Sequence, residues 1–221
     1  MGGRRQRSLP EVDRALRLLD AHYREFVASK PFADETGHPV PSDTRAWSQI
    51  LVSTLTGIEG IKRKKGADLS DGSDVKAANV WSAIDTPRFN NCIPAGRTSE
   101  KAKRPPTVSA LDATPYIFFV LWDEQDDERL PRCRVWCVRS NSDPVFRRVC
   151  AKWYRQFAAD EVSNNFQLHP PRNQNHNVIR NTCGNMEFPL LFSAVMKGSR
   201  FQMQEYHPSV LRNGRCRLVN R

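Results

Sequence analysis

Apolar residues recur at three- and four-residue spacing near the start of the chain, at Val12, Leu16, Leu19, Tyr23 and Phe26. That period predicts an amphipathic, core-facing helix over Leu9 to Ser29, with Pro10 in its first turn and Ser8 as a candidate N-cap. Three prolines between Pro31 and Ser42 predict a loop. A second helix is predicted from about Thr44 to Gly57, capped by Ser42 or Asp43, with Trp47, Ile50, Leu51 and Leu55 on one face. Tyr116 to Trp122 is a continuous apolar run, the pattern of a strand buried on both faces. Arg132 to Arg139 alternates as the next strand, and the acidic stretch Asp123 to Glu128 between the two reads as a solvated hairpin tip. Asp143-Pro144 opens a third helix, with Val145, Val149, Trp153 and Phe157 at four-residue steps. Phe188 to Met196 returns to the core.

Between the second helix and the apolar run lies a stretch of a different kind, Lys64 to Asn79. It reads as a tight β-hairpin, in which Ser70-Asp71-Gly72 forms a three-residue loop closed by a left-handed glycine. With Leu69 and Ser73 flanking the loop, Asp68 pairs with Asp74 and Gly66 with Lys76. Paired residues share a face, as do residues two apart along a strand, so Asp68, Asp74 and Lys76 project from one side. A two-residue turn at Asp71-Gly72 would instead turn Asp68 away, leaving Asp71 as the alternative carboxylate. Glu59, nine residues before Asp68, is read either as a third acid late on the incoming helix or as an exposed offset to Lys62, Arg63, Lys64 and Lys65.

Composition narrows the class of partner. The chain has 221 residues, 39% hydrophobic and 26% charged, a globular composition. Its formal net charge of +10 favours a polyanion. There is no apolar run of the ~18 residues a membrane span needs. The basic first ten residues lack the apolar core of a secretory signal, so a cytoplasmic protein with no membrane partner is expected. Six cysteines do not make a dense disulfide framework. They read as free thiols; a zinc site from Cys183, His169 and His176 is the alternative.

Two segments supply candidate nucleic-acid contacts. Ser163 to Asn185 concentrates amides, arginine and histidine, and planar bidentate donors pair with adenine and guanine edges. Arg172, Asn173, Gln174, Asn175, His176, Asn177, Arg180 and Asn181 are the candidate readers, with Lys64 and Lys65 beside the acids as phosphate contacts. The other reading of this segment is an ordinary polar loop. The last 25 residues carry Lys197, Arg200, Arg212, Arg215, Arg217 and Arg221 against Glu205, a pattern read as a backbone-contacting arm.

Two carboxylates and an ammonium at one spot suit phosphodiester hydrolysis. Carboxylates hold a divalent ion, which lowers the pKa of bound water and neutralises charge on the phosphate. Asp68 followed by Asp74-Val75-Lys76 resembles the signature of the PD-(D/E)xK nucleases. The resemblance covers roughly residues 44 to 157 and is closest to a type II restriction endonuclease of a MamI-like group. No proline precedes Asp68, and the spacing to Asp74 is short for that pattern. The resemblance implies a mixed α/β fold, a central mixed β-sheet flanked by helices. It implies one endonuclease domain over 1–221, with a catalytic core at about 44–157 and recognition elements at about 163–221. It further implies Asp68, Asp74, Lys76 and Glu59 as catalytic residues and Mg²⁺ on Asp68, Asp74 and the Val75 carbonyl. The implied activity is sequence-specific cleavage of double-stranded DNA by a homodimer, with a cognate methyltransferase in the same system. The competing expectations are a nuclease of the same fold with little sequence preference, and a DNA-binding protein without catalysis.

Overall fold

The computed structural model describes residues 9–38, 43–61, 66–81, 86–95, 106–125, 129–171 and 176–219. Two helices come first, α1 (Pro10–Thr36) and α2 (Arg45–Thr56). Strand β1 (Asp74–Asn79) leads, by a long crossover, to β2 (Ile117–Gln125) and β3 (Leu130–Val138). Helix α3 (Pro144–Ala158) is followed by short β4 (Val178–Ile179) and β5 (Asn185–Glu187). Strands β6 (Leu190–Lys197) and β7 (Arg200–Tyr206), a short α4 (Val210–Asn213) and β8 (Arg217–Val219) complete the chain.

The main sheet has the order β1-β2-β3-β6-β7, and β4-β5-β8 form a smaller one. β1 runs parallel to β2, and every other pairing in the main sheet is antiparallel, so the sheet is mixed. Alternation along β2 divides the core. Phe118, Val120 and Trp122 pack under α1 and α2 with Val12, Leu19, Leu51 and Leu55. Ile117, Phe119 and Leu121 pack under α3 with Phe146, Val149, Cys150 and Trp153. The apolar run predicted a strand covered on both faces, and β2 is one. Helix α3 starts as its sequence dictates: Asp143 caps it by accepting the Phe146 N–H at 2.8 Å, with Pro144 at the first position.

Four expectations are corrected. First, α1 continues through Pro31 to Thr36. It stops at Gly37, whose φ of 68° lets the Gly37 and His38 N–H groups return to the carbonyls of Asp34 and Ala33. Second, the acid at 123 is no solvated tip. β2 runs on to Gln125 and sets Asp123 opposite Arg132. Asp123 is buried, accepting from Arg132 at 3.0 and 2.6 Å and from Arg134 at 2.6 Å. Two guanidiniums on one carboxylate offset the desolvation that keeps such groups at the surface; residues 126–128 lie outside the described set. Third, over residues 197–219 the basic C-terminal stretch is built into the fold. It contributes β7 to the main sheet and β8 to the smaller one. Fourth, the described part of that stretch, residues 66–79, does not form an extended hairpin, because β1 takes its ladder from β2.

β1 and β7 are the two rims of the main sheet. On β7, the Phe201 N–H donates to Asp20 Oδ1 of α1 at 2.6 Å. Among the described residues, no helix is long and apolar enough to cross a membrane.

Candidate active site

The turn that feeds β1 is set by local chemistry. Leu69 O accepts the Gly72 N–H at 3.1 Å, and the Asp68 and Leu69 N–H groups both reach Ser73 O at 3.1 Å. Gly72 sits at φ 93°, the left-handed conformation required of the residue that closes a three-residue loop. The Asp71 carboxylate accepts the Ser73 N–H and hydroxyl, each at 2.9 Å, and Ser73 Oγ in turn accepts the Tyr116 N–H. Asp71 is therefore a lock on the turn, and the alternative that gave it a site role does not match the structure.

Asp68 reaches the site by a route other than strand pairing. Its Oδ2 accepts the Val75 N–H at 3.0 Å, and Asp74 Oδ1 accepts the same N–H at 3.0 Å. One backbone donor thus gathers both carboxylates at the rim of the sheet. The Asp74 N–H bonds Tyr116 O of the neighbouring strand, so the next residue, Val75, turns its N–H and its C=O to the open edge. Lys76 Nζ lies 2.7 Å from Asp74 Oδ2. Burial, then hydrogen bonding to the Asp68 carboxyl, raises the Asp74 pKa to about 6 against the downward pull of Lys76.

Helix α2 adds two residues that pattern reading missed. Gln49 Nε2 donates to Asp68 Oδ1 at 2.7 Å, and Arg45 Nη2 stands 3.4 Å from the same oxygen. The signal available in the sequence was their four-residue spacing, which puts both on one face of the helix leading to the turn. Asp68 is thereby held at both carboxylate oxygens, one by α2 and one by β1.

Other site candidates fall elsewhere. Glu59 is exposed and lies beyond α2, which ends at Thr56 under Gly57 (φ 74°). Its carbonyl accepts the Ser70 N–H at 2.8 Å. Among the described residues no three His, Cys, Asp or Glu side chains group to hold a metal, so Glu59 does not join the two aspartates as a third acid. The same finding removes Cys183, His169 and His176 as a zinc set; Cys183 Sγ instead contacts Gln156 Oε1 at 3.0 Å. Lys64, Lys65, Arg172, Asn173, Gln174 and Asn175 lie outside the described residues. His176 is exposed, and its carbonyl accepts from Arg134 at 3.3 Å. Asn177 Oδ1 accepts from Trp136 Nε1 at 2.9 Å, and Arg180 Nη2 donates to Pro170 O at 3.4 Å. Asn181 is turned inward. It is 7% exposed, donates to Gln167 O at 2.6 Å and accepts the Cys183 N–H at 2.8 Å, so both amide atoms shape the surrounding turn.

The donor set at the rim suits a hard divalent cation, which prefers oxygen and is commonly bound by one or two carboxylates. Two carboxylates drawn against one N–H, one with its pKa raised by burial and then by the other, form a pair whose full ionisation a cation would favour.

Comparison with known proteins bears on the same residues. A family model described as MamI restriction endonuclease matches residues 31–199, a span that includes α2, the turn and β1. The type II restriction enzyme MamI of Microbacterium ammoniaphilum is 31% identical over 188 residues, 80% of this chain and 60% of that one. The chain thus spans about three fifths of the length of that curated relative. No solved structure matches.

Proposed function

The chain belongs to the MamI restriction endonuclease family, and from that premise we propose that it is a Mg²⁺-dependent type II restriction endonuclease. Its substrate is double-stranded DNA, cut at a specific sequence. The observation that carries this reading is the sharing of the Val75 N–H by Asp68 and Asp74, with Lys76 on the second carboxylate. Asp68, Asp74 and the Val75 carbonyl would hold Mg²⁺, which when bound supplies an acidified water and charge neutralisation at the phosphate. Gln49 and Arg45 keep Asp68 aimed at the rim. Lys76, held by Asp74 Oδ2, orients the attacking water at its Nζ and offsets charge developing on the phosphate. The excess of basic residues on the chain brings the polyanion to the site. The enzyme acts as a homodimer, one site per strand, in the cytoplasm, beside a methyltransferase that protects host DNA.

Asp74→Ala tests the reading. Cleavage of mixed-sequence DNA in Mg²⁺ is expected to disappear, while binding measured in Ca²⁺ persists. Loss of binding and folding together would make the acids structural. Sequenced fragment ends separate the remaining possibilities: discrete ends support a restriction enzyme, and a smear supports a nuclease with little sequence preference.

A further inference from the structure

We propose that the amide cluster of exposed Asn90 and half-buried Gln167, braced by Asn165, reads base edges beside the cleavage site, an inference that rests on the DNA-cutting reading above. Two segments far apart in sequence build it. Phe89 and Leu168 exchange both backbone hydrogen bonds, at 2.8 and 3.0 Å, and the Cys92 N–H bonds Phe166 O at 3.1 Å. The ribbon so formed is anchored next to the active site. The Phe89 ring packs edge-on at 5.1 Å against Phe119, and Phe119 is the register partner of Lys76. Asn90 follows Phe89 directly and is exposed.

The amides are oriented by one another. Asn165 Oδ1 accepts the Asn91 N–H at 2.8 Å, with Asn91 at φ 49°, a conformation asparagine tolerates. Asn90 Oδ1 then accepts from Asn165 Nδ2 at 3.3 Å and from Gln167 Nε2 at 3.0 Å. Among the described residues, Asn90 Nδ2 and Gln167 Oε1 bond nothing. The network therefore orients two amides whose remaining groups are one donor, on Asn90, and one acceptor, on Gln167. Adenine offers the complement in the major groove, an acceptor at N7 and a donor at N6. Fixed orientation also lowers the ordering cost of a contact, which sets these amides apart from mobile surface ones.

The test is selectivity, not rate. Wild type, Asn90→Ala, Asn90→Asp and Gln167→Ala are each given a randomised DNA library in Mg²⁺, and the cut ends are sequenced. The ratio of cleavage at the preferred site to cleavage at each single-base variant is expected to fall roughly tenfold or more at one or two positions. Asn90→Asp exchanges donor for acceptor at nearly constant shape and is expected to alter the preferred base there. Where a variant cuts too slowly, competition binding in Ca²⁺ between the preferred site and its single-base variants gives the same ratio. A discrete wild-type pattern with unchanged ratios in Asn90→Asp and Gln167→Ala overturns this inference alone. A wild type that cuts without preference overturns it together with the restriction reading.

Discussion

Asp74 carries a conflict that pH exposes. Its raised pKa, about 6, means that below this value the side chain holds a proton that a metal must displace. Apparent Mg²⁺ affinity, read from the metal concentration for half-maximal cleavage, is expected to weaken about tenfold per pH unit below about 6. Asp68 depends on a different support. With Gln49 replaced by alanine, one of its oxygens loses a 2.7 Å donor while Val75 still holds the other. The Mg²⁺ requirement of Gln49→Ala is expected to rise on the order of tenfold, with thermal stability nearly unchanged, as for other partners that orient a metal ligand. A Mg²⁺ titration beside a melting curve checks both halves. Pattern reading brought out Asp68, Asp74 and Lys76 because turn chemistry and strand alternation are local. The pairing of Gln49 with Asp68 crosses 19 positions and is created by α2 packing over the turn, so no local pattern carries it.

At the scale of elements, the turn before β1 tolerates little change at its glycine. A Cβ on Gly72 would stand 2.8 Å from Ala113 O, a backbone atom, and the residue is at positive φ. Gly72→Ala is expected to destabilise the fold by at least about 1 kcal/mol in urea unfolding, and to weaken Mg²⁺ binding as Asp68 shifts. The elements themselves were legible where their signals are short-range: the apolar run of β2, the Asp143-Pro144 start of α3, and the loop closed by Gly72. The partner of β1 was not. Parallel pairing depends on a crossover from Asn79 to Ile117, and nothing in residues 64–79 distinguishes a strand that pairs forward from one that pairs back. The burial of Asp123 is hidden from the sequence for a related reason. Acids clustered in sequence look solvated until strand register brings Arg132 and Arg134 to one of them.

At the scale of the whole molecule, two shifted titrations among the described residues bear on the response to acid, and they oppose each other. His22 lies among Trp47, Trp81 and Trp122, with ring centroids at 4.8, 5.6 and 4.6 Å. Among the described residues neither of its ring nitrogens has a hydrogen-bond partner, and burial lowers its pKa to about 4. The unfolded chain therefore binds the His22 proton first. Its contribution to stability is full above the ordinary histidine value of 6.5 and is lost as pH falls towards 4. Asp74 has the other sign: its folded form holds the proton more tightly, so stability is lost as pH rises from 3.8 through about 6. In metal-free protein the two slopes partly cancel between pH 4 and 6. Asp74→Asn is expected to raise the melting temperature above pH 6 by a few degrees and to steepen its fall on acidification; roughly 1 kcal/mol corresponds to 2–4 °C at this size. His22→Phe is expected to flatten that fall, as melting curves across the range would show.

The carboxylates also cover part of the sheet's own margin. A bare strand margin is a template for another chain, and soluble proteins blunt it. Here Asp68 and Asp74 close the Val75 N–H on one margin, and Asp20 closes the Phe201 N–H on the other. Neither border welcomes a neighbour's backbone at those points, which leaves the sheet an island there.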